Sequence, residues 1–156
     1  MTDIKLQEVL IEEIHHLLKN QSLKKLDGSA WKDLNVYQQD KPYKDDENDS
    51  DQEDYIIVML DNEDLGEDNR WKVDVHMIMS ICLYENENQG NVILANLMNQ
   101  IFMHLQRKGI IGGMFEMERE AYKRFNHECY PNYYECDLIT SWKLPEIERE
   151  SVEDFI

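Results

Sequence analysis

The sequence is short of the features that most readily betray a function. It holds three cysteines, Cys82, Cys129 and Cys136. An odd, scattered set with no secretion signal argues against a disulfide framework and for reduced thiols. Cys82 and Cys136 fall in alternating runs and are read as sheet or core residues. No apolar run approaches the roughly 18–20 residues of a membrane span. The opening MTDIKLQEVLIEEIHHLL is an amphipathic, acid-bearing helix without the basic start, unbroken apolar core or cleavage site of a signal peptide. The chain is therefore expected to stay in the cytoplasm that makes it. Basic charge is also scarce. Lys and Arg number 16 against 33 Asp and Glu, a net charge of −17. Such a surface repels free nucleic acid and anionic membranes. It suits a basic partner, or the wall of a passage through which DNA slides without sticking; its plainest use is solubility.

Catalytic signatures are missing too. There is no G-x-S-x-G and no phosphate-cradling glycine loop. The stretch GIIGG follows a helix instead of opening one, so it cannot aim a helix N-terminus at a phosphate. Glu116 and Glu118 alternate with Phe115 and Met117, a pattern far commoner on the exposed face of a strand than in a carboxylate dyad. His15 and His16 are adjacent on a helix, pointing about 100° apart, and cannot chelate one ion. His127, Cys129 and Cys136 lack the second ligand pair of a zinc site. DNEDLGEDNRWK has Gly66 at the sixth place of a calcium loop, but Leu65 at the fifth and Lys72 at the twelfth, where a bidentate Glu is needed. No cofactor and no metal are expected, and the chain is not read as an enzyme.

What remains is a clear alternation of elements. Residues 3–20 place Ile4, Val9, Leu10, Ile14, Leu17 and Leu18 near one helical face, with Asp3 as cap. LDGSAW is a turn around Gly28, and a short strand is expected through Val36 and Tyr37. Residues 40–54 carry eight acids and two lysines without apolar periodicity, a solvated, mobile loop. YIIVML at 55–60 has strand length, and an acidic turn follows over 61–69. From Trp71 to Tyr84 the period is two, with Trp71, Val73, Val75, Met77, Met79, Ile81 and Leu83 on one face. Ile78 and Tyr84 break the otherwise polar second face, which therefore meets something, such as another subunit. The knot ENENQG offers Asn88 as a helix cap, with Asn91 as the alternative. Val92, Ile93, Leu94, Leu97, Ile101, Phe102 and Leu105 then mark a helix over 89–107, closed by Lys108 and Gly109. MFEMERE reads as a strand, YKRFNHECYPN as an irregular connector, and 133–142 as a last strand before Pro145. Met77, Met79, Met98, Met103, Met114 and Met117 cluster in this region as core fillers. The order predicts an α+β fold: an antiparallel sheet of four to five strands with two helices on one face. It is expected to be a single domain over 1–156, with the acidic loop and a flexible tail at 146–156.

Three of these stretches, the long strand through the helix, IIGGMFEMERE, and YPNYYECDLITSWKLPEI, resemble small neck and tail proteins of tailed bacteriophages and prophages. The likeness is to the tail terminator, or tail completion, family. Its marks here are Gln89–Gly90, Tyr130–Pro131, Tyr133–Tyr134 and Leu144–Pro145, within residues 55–147. The resemblance implies a structural subunit, without cofactor or catalytic residues. It implies assembly as a ring, typically a hexamer, that caps the tail tube and joins it to the head. The partners would be copies of itself and tail-tube and neck proteins, first in the bacterial cytoplasm and then in the virion. Candidate assembly residues are Ile78 and Tyr84, with Asp45, Asp46, Glu47, Asp49 and Asp51 of the acidic loop. The alternative, from charge alone, is an acidic binding module or nucleic-acid mimic that occupies a basic protein's groove.

Overall fold

Apolar residues at helical spacing and a short polar cap start the fold. The computed structural model describes residues 2–31, 33–42, 53–83, 90–127 and 132–147. Helix α1 is Asp3–Lys19, and its cap is Thr2, not Asp3: the Thr2 hydroxyl accepts the Lys5 N–H at 3.2 Å. Asp3 instead takes the Ile4 N–H at 2.8 Å, a favourable place for an acid in a first turn. Leu6, Leu10, Ile14 and Leu17 form the buried stripe, while Ile4, expected inside, is 54% exposed. Gln7 joins the buried face because its amide has work there. It donates to Gln39 Oε1 at 2.8 Å and to the Val58 carbonyl at 2.9 Å.

The strands are β1 (Leu34–Gln38), β2 (Asp54–Leu65), β3 (Trp71–Cys82), β4 (Ile110–Ile111), β5 (Phe115–Asn126) and β6 (Tyr133–Lys143). Helix α2, Gly90–Lys108, lies between β3 and β4. One sheet runs in the order β1-β2-β3-β6-β5-β4. It has six strands, not four to five, and it is mixed, because β1 pairs with β2 in parallel. The short strand expected through Val36 and Tyr37 is present as β1; the strand beyond the expected number is β4, whose two residues are too few to show a period of two. A parallel pair needs a crossover of about a dozen residues or more. The segment between Gln38 and Asp54 supplies that length.

Two further boundaries differ from expectation. β2 continues through the acids to Leu65, so the turn occupies only 66–70, and β5 runs through Tyr122–Asn126, which had been read as a connector. Polar strand ends are held by the backbone ladder and leave no apolar alternation to read. The expected mobile loop at 40–54 lies mostly, and Asn88 and Tyr84 wholly, outside the described residues.

Both helices cover the same sheet face. Val73, Val75, Met77, Met79 and Ile81 of β3 meet Leu6, Leu10 and Ile14 of α1 and Leu94, Leu97, Ile101 and Leu105 of α2 in one core. Cys136, Leu138, Thr140 and Trp142 of β6 stand opposite the β3 residues and complete it. Each fully buried side chain of this size contributes about 1.5–3 kcal/mol. Glu13 ties the helices together at the surface, accepting from His104 at 2.9 Å and Lys108 at 2.8 Å. Met77, Met79 and Met98 fill the core as expected, but Met103 is 47% exposed, as is Val92 at 53%. Gly109, at φ +68°, ends α2 with its N–H on the Leu105 carbonyl.

Candidate functional site

Both helices lie on one side, and among the described residues no helix covers the other sheet face. Register fixes what it presents. Ile57 of β2 lies opposite Ile78 of β3, which lies opposite Asp137 of β6 and then Arg124 of β5. The next row is Met59, His76, Ile139 and Tyr122. Ile78 is thus where the alternation placed it, on the second face, and Ile57, Met59 and Ile139 surround it. All four are half-buried, and Tyr122 is 59% exposed. The other candidate assembly residues, Tyr84, Asp45, Asp46, Glu47, Asp49 and Asp51, lie outside the described residues.

Charges are interleaved with this apolar band. His76 sits between two acids, with Nε2 2.9 Å from Asp61 and Nδ1 3.6 Å from Asp137. Burial pushes the Asp137 carboxyl up, and His76 and Arg124 pull it part of the way back. Glu135 is raised by burial and by Asp137. At the β1 edge, Glu53 accepts from Tyr37 at 2.7 Å and Asn35 at 2.6 Å, and pairs with Lys41 at 3.1 Å. Burial and that bond push the Tyr37 hydroxyl up to about 12. Lys41 also stands 4.5 Å from the Tyr55 ring centre. These contacts tie Lys41 and Glu53, near the two ends of the acidic segment, to β1 and β2.

The residues considered for catalysis or metal binding are engaged otherwise. Glu116 pairs with Arg70 at 3.2 Å, and Glu118 reaches Lys143 at 4.0 Å. His15 and His16 are both exposed. Asp68 of the calcium-like segment pairs with Lys143 at 3.2 Å. Cys136 is buried, its thiol pushed up to about 12 chiefly by burial, and Cys129 lies outside the described residues. Cys136 and His127 border one cavity of about 380 Å³ with Glu135 and Asp137. Among the described residues no group of three His, Cys, Asp or Glu could hold a metal.

A second cavity escaped the sequence reading. It holds about 560 Å³ at the N-terminal end of α1, between Asp3, Glu63, Trp71, Leu144, Pro145 and Ile147. A one-residue bulge in β2 creates it. Leu60 pairs with Val75, but Glu63 pairs with Val73. The extra residue turns Glu63 onto the helix-covered side, where strict alternation would have put its neighbours. Glu63 is exposed overall, but loss of water on its cavity side, and then the shared hydrogen bond and charge of Asp3, push its carboxyl up to about 7. Trp71, 36% exposed, belongs to the core face by phase but lies past the end of α1. Only the pairing register reveals that place.

These features define an α+β protein with a two-helix layer on one sheet face and a mixed apolar and acidic face on the other, free of helix among the described residues. Among the described residues no helix is long and apolar enough to cross a membrane. No family model and no curated protein matches the chain.

Proposed function

We propose that the chain is a structural subunit that assembles, as a ring, on the end of a phage tail tube and joins it to the head. The observation that carries this reading is the open sheet face. Ile57, Ile78, Met59 and Ile139 make an apolar patch across three adjacent strands, continued by exposed Tyr122. Patches of that kind, rimmed by charge, mark protein contacts. The likeness of the strand–helix unit and of the YP-x-Y stretch to tail terminators supports the same assignment. In it the chain is no enzyme and uses no cofactor; its partners are copies of itself, in a ring of six as in the family pattern, together with tail-tube and neck proteins. It would act in the bacterial cytoplasm and then in the virion.

Light scattering and co-sedimentation with purified tail tubes test this. The chain should bind tube ends as an oligomer. Ile78→Asp should weaken that association at least tenfold, the scale of a lost contact at the centre of an interface, while leaving the melting temperature within a few degrees. A chain that remains monomeric and ignores tube ends sinks the proposal. A second reading, an acidic module for a basic partner, draws on Glu63, Asp64 and Glu67, all exposed at the β2–β3 end. Its complex should weaken steeply with salt, whereas an apolar contact should not.

A further inference from the structure

The cavity at the head of α1 has a chemistry distinct from the open sheet face. Its walls are Trp71, Leu144, Pro145 and Ile147, and its polar side is the carboxyl pair Asp3 and Glu63. Ile147 is 50% exposed, and Leu65, which pairs with Trp71 across β2 and β3, is 51% exposed. The apolar surface is therefore open to solvent and continues out of the cavity along the hairpin. Among the described residues no lysine or arginine pairs with Asp3 or Glu63. Arg70, one of the two cations adjacent to Trp71 in sequence, donates to the Leu144 carbonyl at 2.8 Å and pairs with Glu116. Asp3 is partly occupied with the helix, through the Ile4 N–H. Glu63 shares a hydrogen bond with Asp3, and among the described residues no backbone N–H serves it.

We propose that this groove docks a partner peptide that presents a lysine or arginine next to a large apolar side chain. The apolar side chain lies along Trp71 and Ile147, and the cation pairs with Glu63 and Asp3. Charge decides the occupant. An apolar segment alone would leave two carboxyls desolvated beside it, and an acidic one would be repelled by them and by the net charge of −17. A basic group turns the same pair from a cost into a contact. The inference does not rest on the ring assembly described above.

Binding should also depend on pH, because a cation favours the ionised Glu63. Among the described residues the charged group that faces it is Asp3 from α1; β3 offers Trp71 and Val73 on that side, and the segment after β6 offers Leu144, Pro145 and Ile147. With Glu63 raised to about 7, the groove gains charge between slightly acid and slightly alkaline solution.

The probe is a capped pentapeptide, acetyl-Gly-Leu-Lys-Leu-Gly-amide, and the control replaces its lysine with glutamate. The readout is the indole N–H resonance of Trp71 in the full chain, assigned with Trp71→Phe. The lysine peptide should shift that resonance at up to millimolar concentration, and the glutamate peptide should not. Apparent affinity should rise roughly threefold or more from pH 6 to pH 8, and Glu63→Gln should abolish the rise. Asp3→Asn, with Thr2 still capping the helix, should weaken binding independently. Equal shifts with both peptides, no shift with either, or a flat pH profile in the unaltered chain would overturn the proposal. So would a peptide-free Trp71 shift that follows protein concentration, which would make the occupant a second copy. A shift on removing residues 148–156 would make it the chain's own end, and overturn it likewise.

Discussion

Replacing Trp142 with alanine is expected to cost about 3–5 kcal/mol, the range for deleting a large buried aromatic. Trp142 is the largest fully buried side chain, between Val73 of β3 and Met117 of β5. Its indole N–H donates to Thr140 Oγ1 at 2.9 Å, inside the core. Alanine would remove the packing of the ring and the hydrogen bond together. At about 2–4 °C per kcal/mol for a chain of this size, the melting temperature should fall by roughly 10 °C. Trp142→Phe separates the two causes. It keeps most of the apolar volume and loses the N–H, so its cost should be about 1–3 kcal/mol. Equilibrium denaturation of both variants decides. If phenylalanine costs as much as alanine, the Thr140 bond, and not packing, dominates that site.

The second large effect concerns Gly90, where the sign of an ordinary rule should reverse. Within a helix, alanine is normally better than glycine by up to about 1 kcal/mol. Gly90 opens α2 directly against the Tyr134 ring. A methyl group built there would meet the ring with less space than any real contact allows. Gly90→Ala should therefore destabilise, by about 1–3 kcal/mol, as the ring or the first helical turn is pushed aside. Tyr134→Ala should release the constraint, so that Gly90→Ala becomes nearly neutral in that background. A double-mutant cycle measures the coupling. Additive effects would mean that the contact does not limit the junction. This gives Gly90 a physical reason: the helix starts where the Tyr134 ring leaves no room for a side chain.

Legibility followed the strength of periodic burial. Val73, Val75, Met77, Met79 and Ile81 are all within 1% of full burial, and their alternation was plain. Leu97, Ile101 and Leu105 of α2 were plain for the same reason. Where burial changes along an element, the reading slipped. Ile4 has the right phase but sits in the first turn of α1, and Val92 lies near the start of α2; both are exposed. The parallel β1 could not be inferred from five residues, since pairing direction depends on where the crossover lands. On the open face, Ile78 stood out as one apolar residue among polar ones. Its companions Ile57 and Ile139 became visible only once register placed them alongside. The groove was hidden more deeply. A bulge shifts the phase by one residue, and nothing in Asp61–Leu65 announces that shift.

The position of β6 in the sheet has a consequence for how the chain reaches its fold. β2 and β3 are successive in the chain, as are β5 and β6, so each pair can zip locally. The ladder that joins the pairs, β3 with β6, brings Lys72 to Lys143 and Cys82 to Tyr133 across the whole of α2, β4 and β5. Closing that interval costs chain entropy before any of its contacts repay it. Folding should therefore proceed as two quickly formed hairpins and one slow seam, on the millisecond-to-second scale of sheet proteins with distant pairings. Conservative substitutions along the seam, such as Leu138→Ala, should slow refolding, whereas Leu65→Ala at the far end of the first hairpin should leave the rate nearly unchanged. Stopped-flow refolding would show the difference.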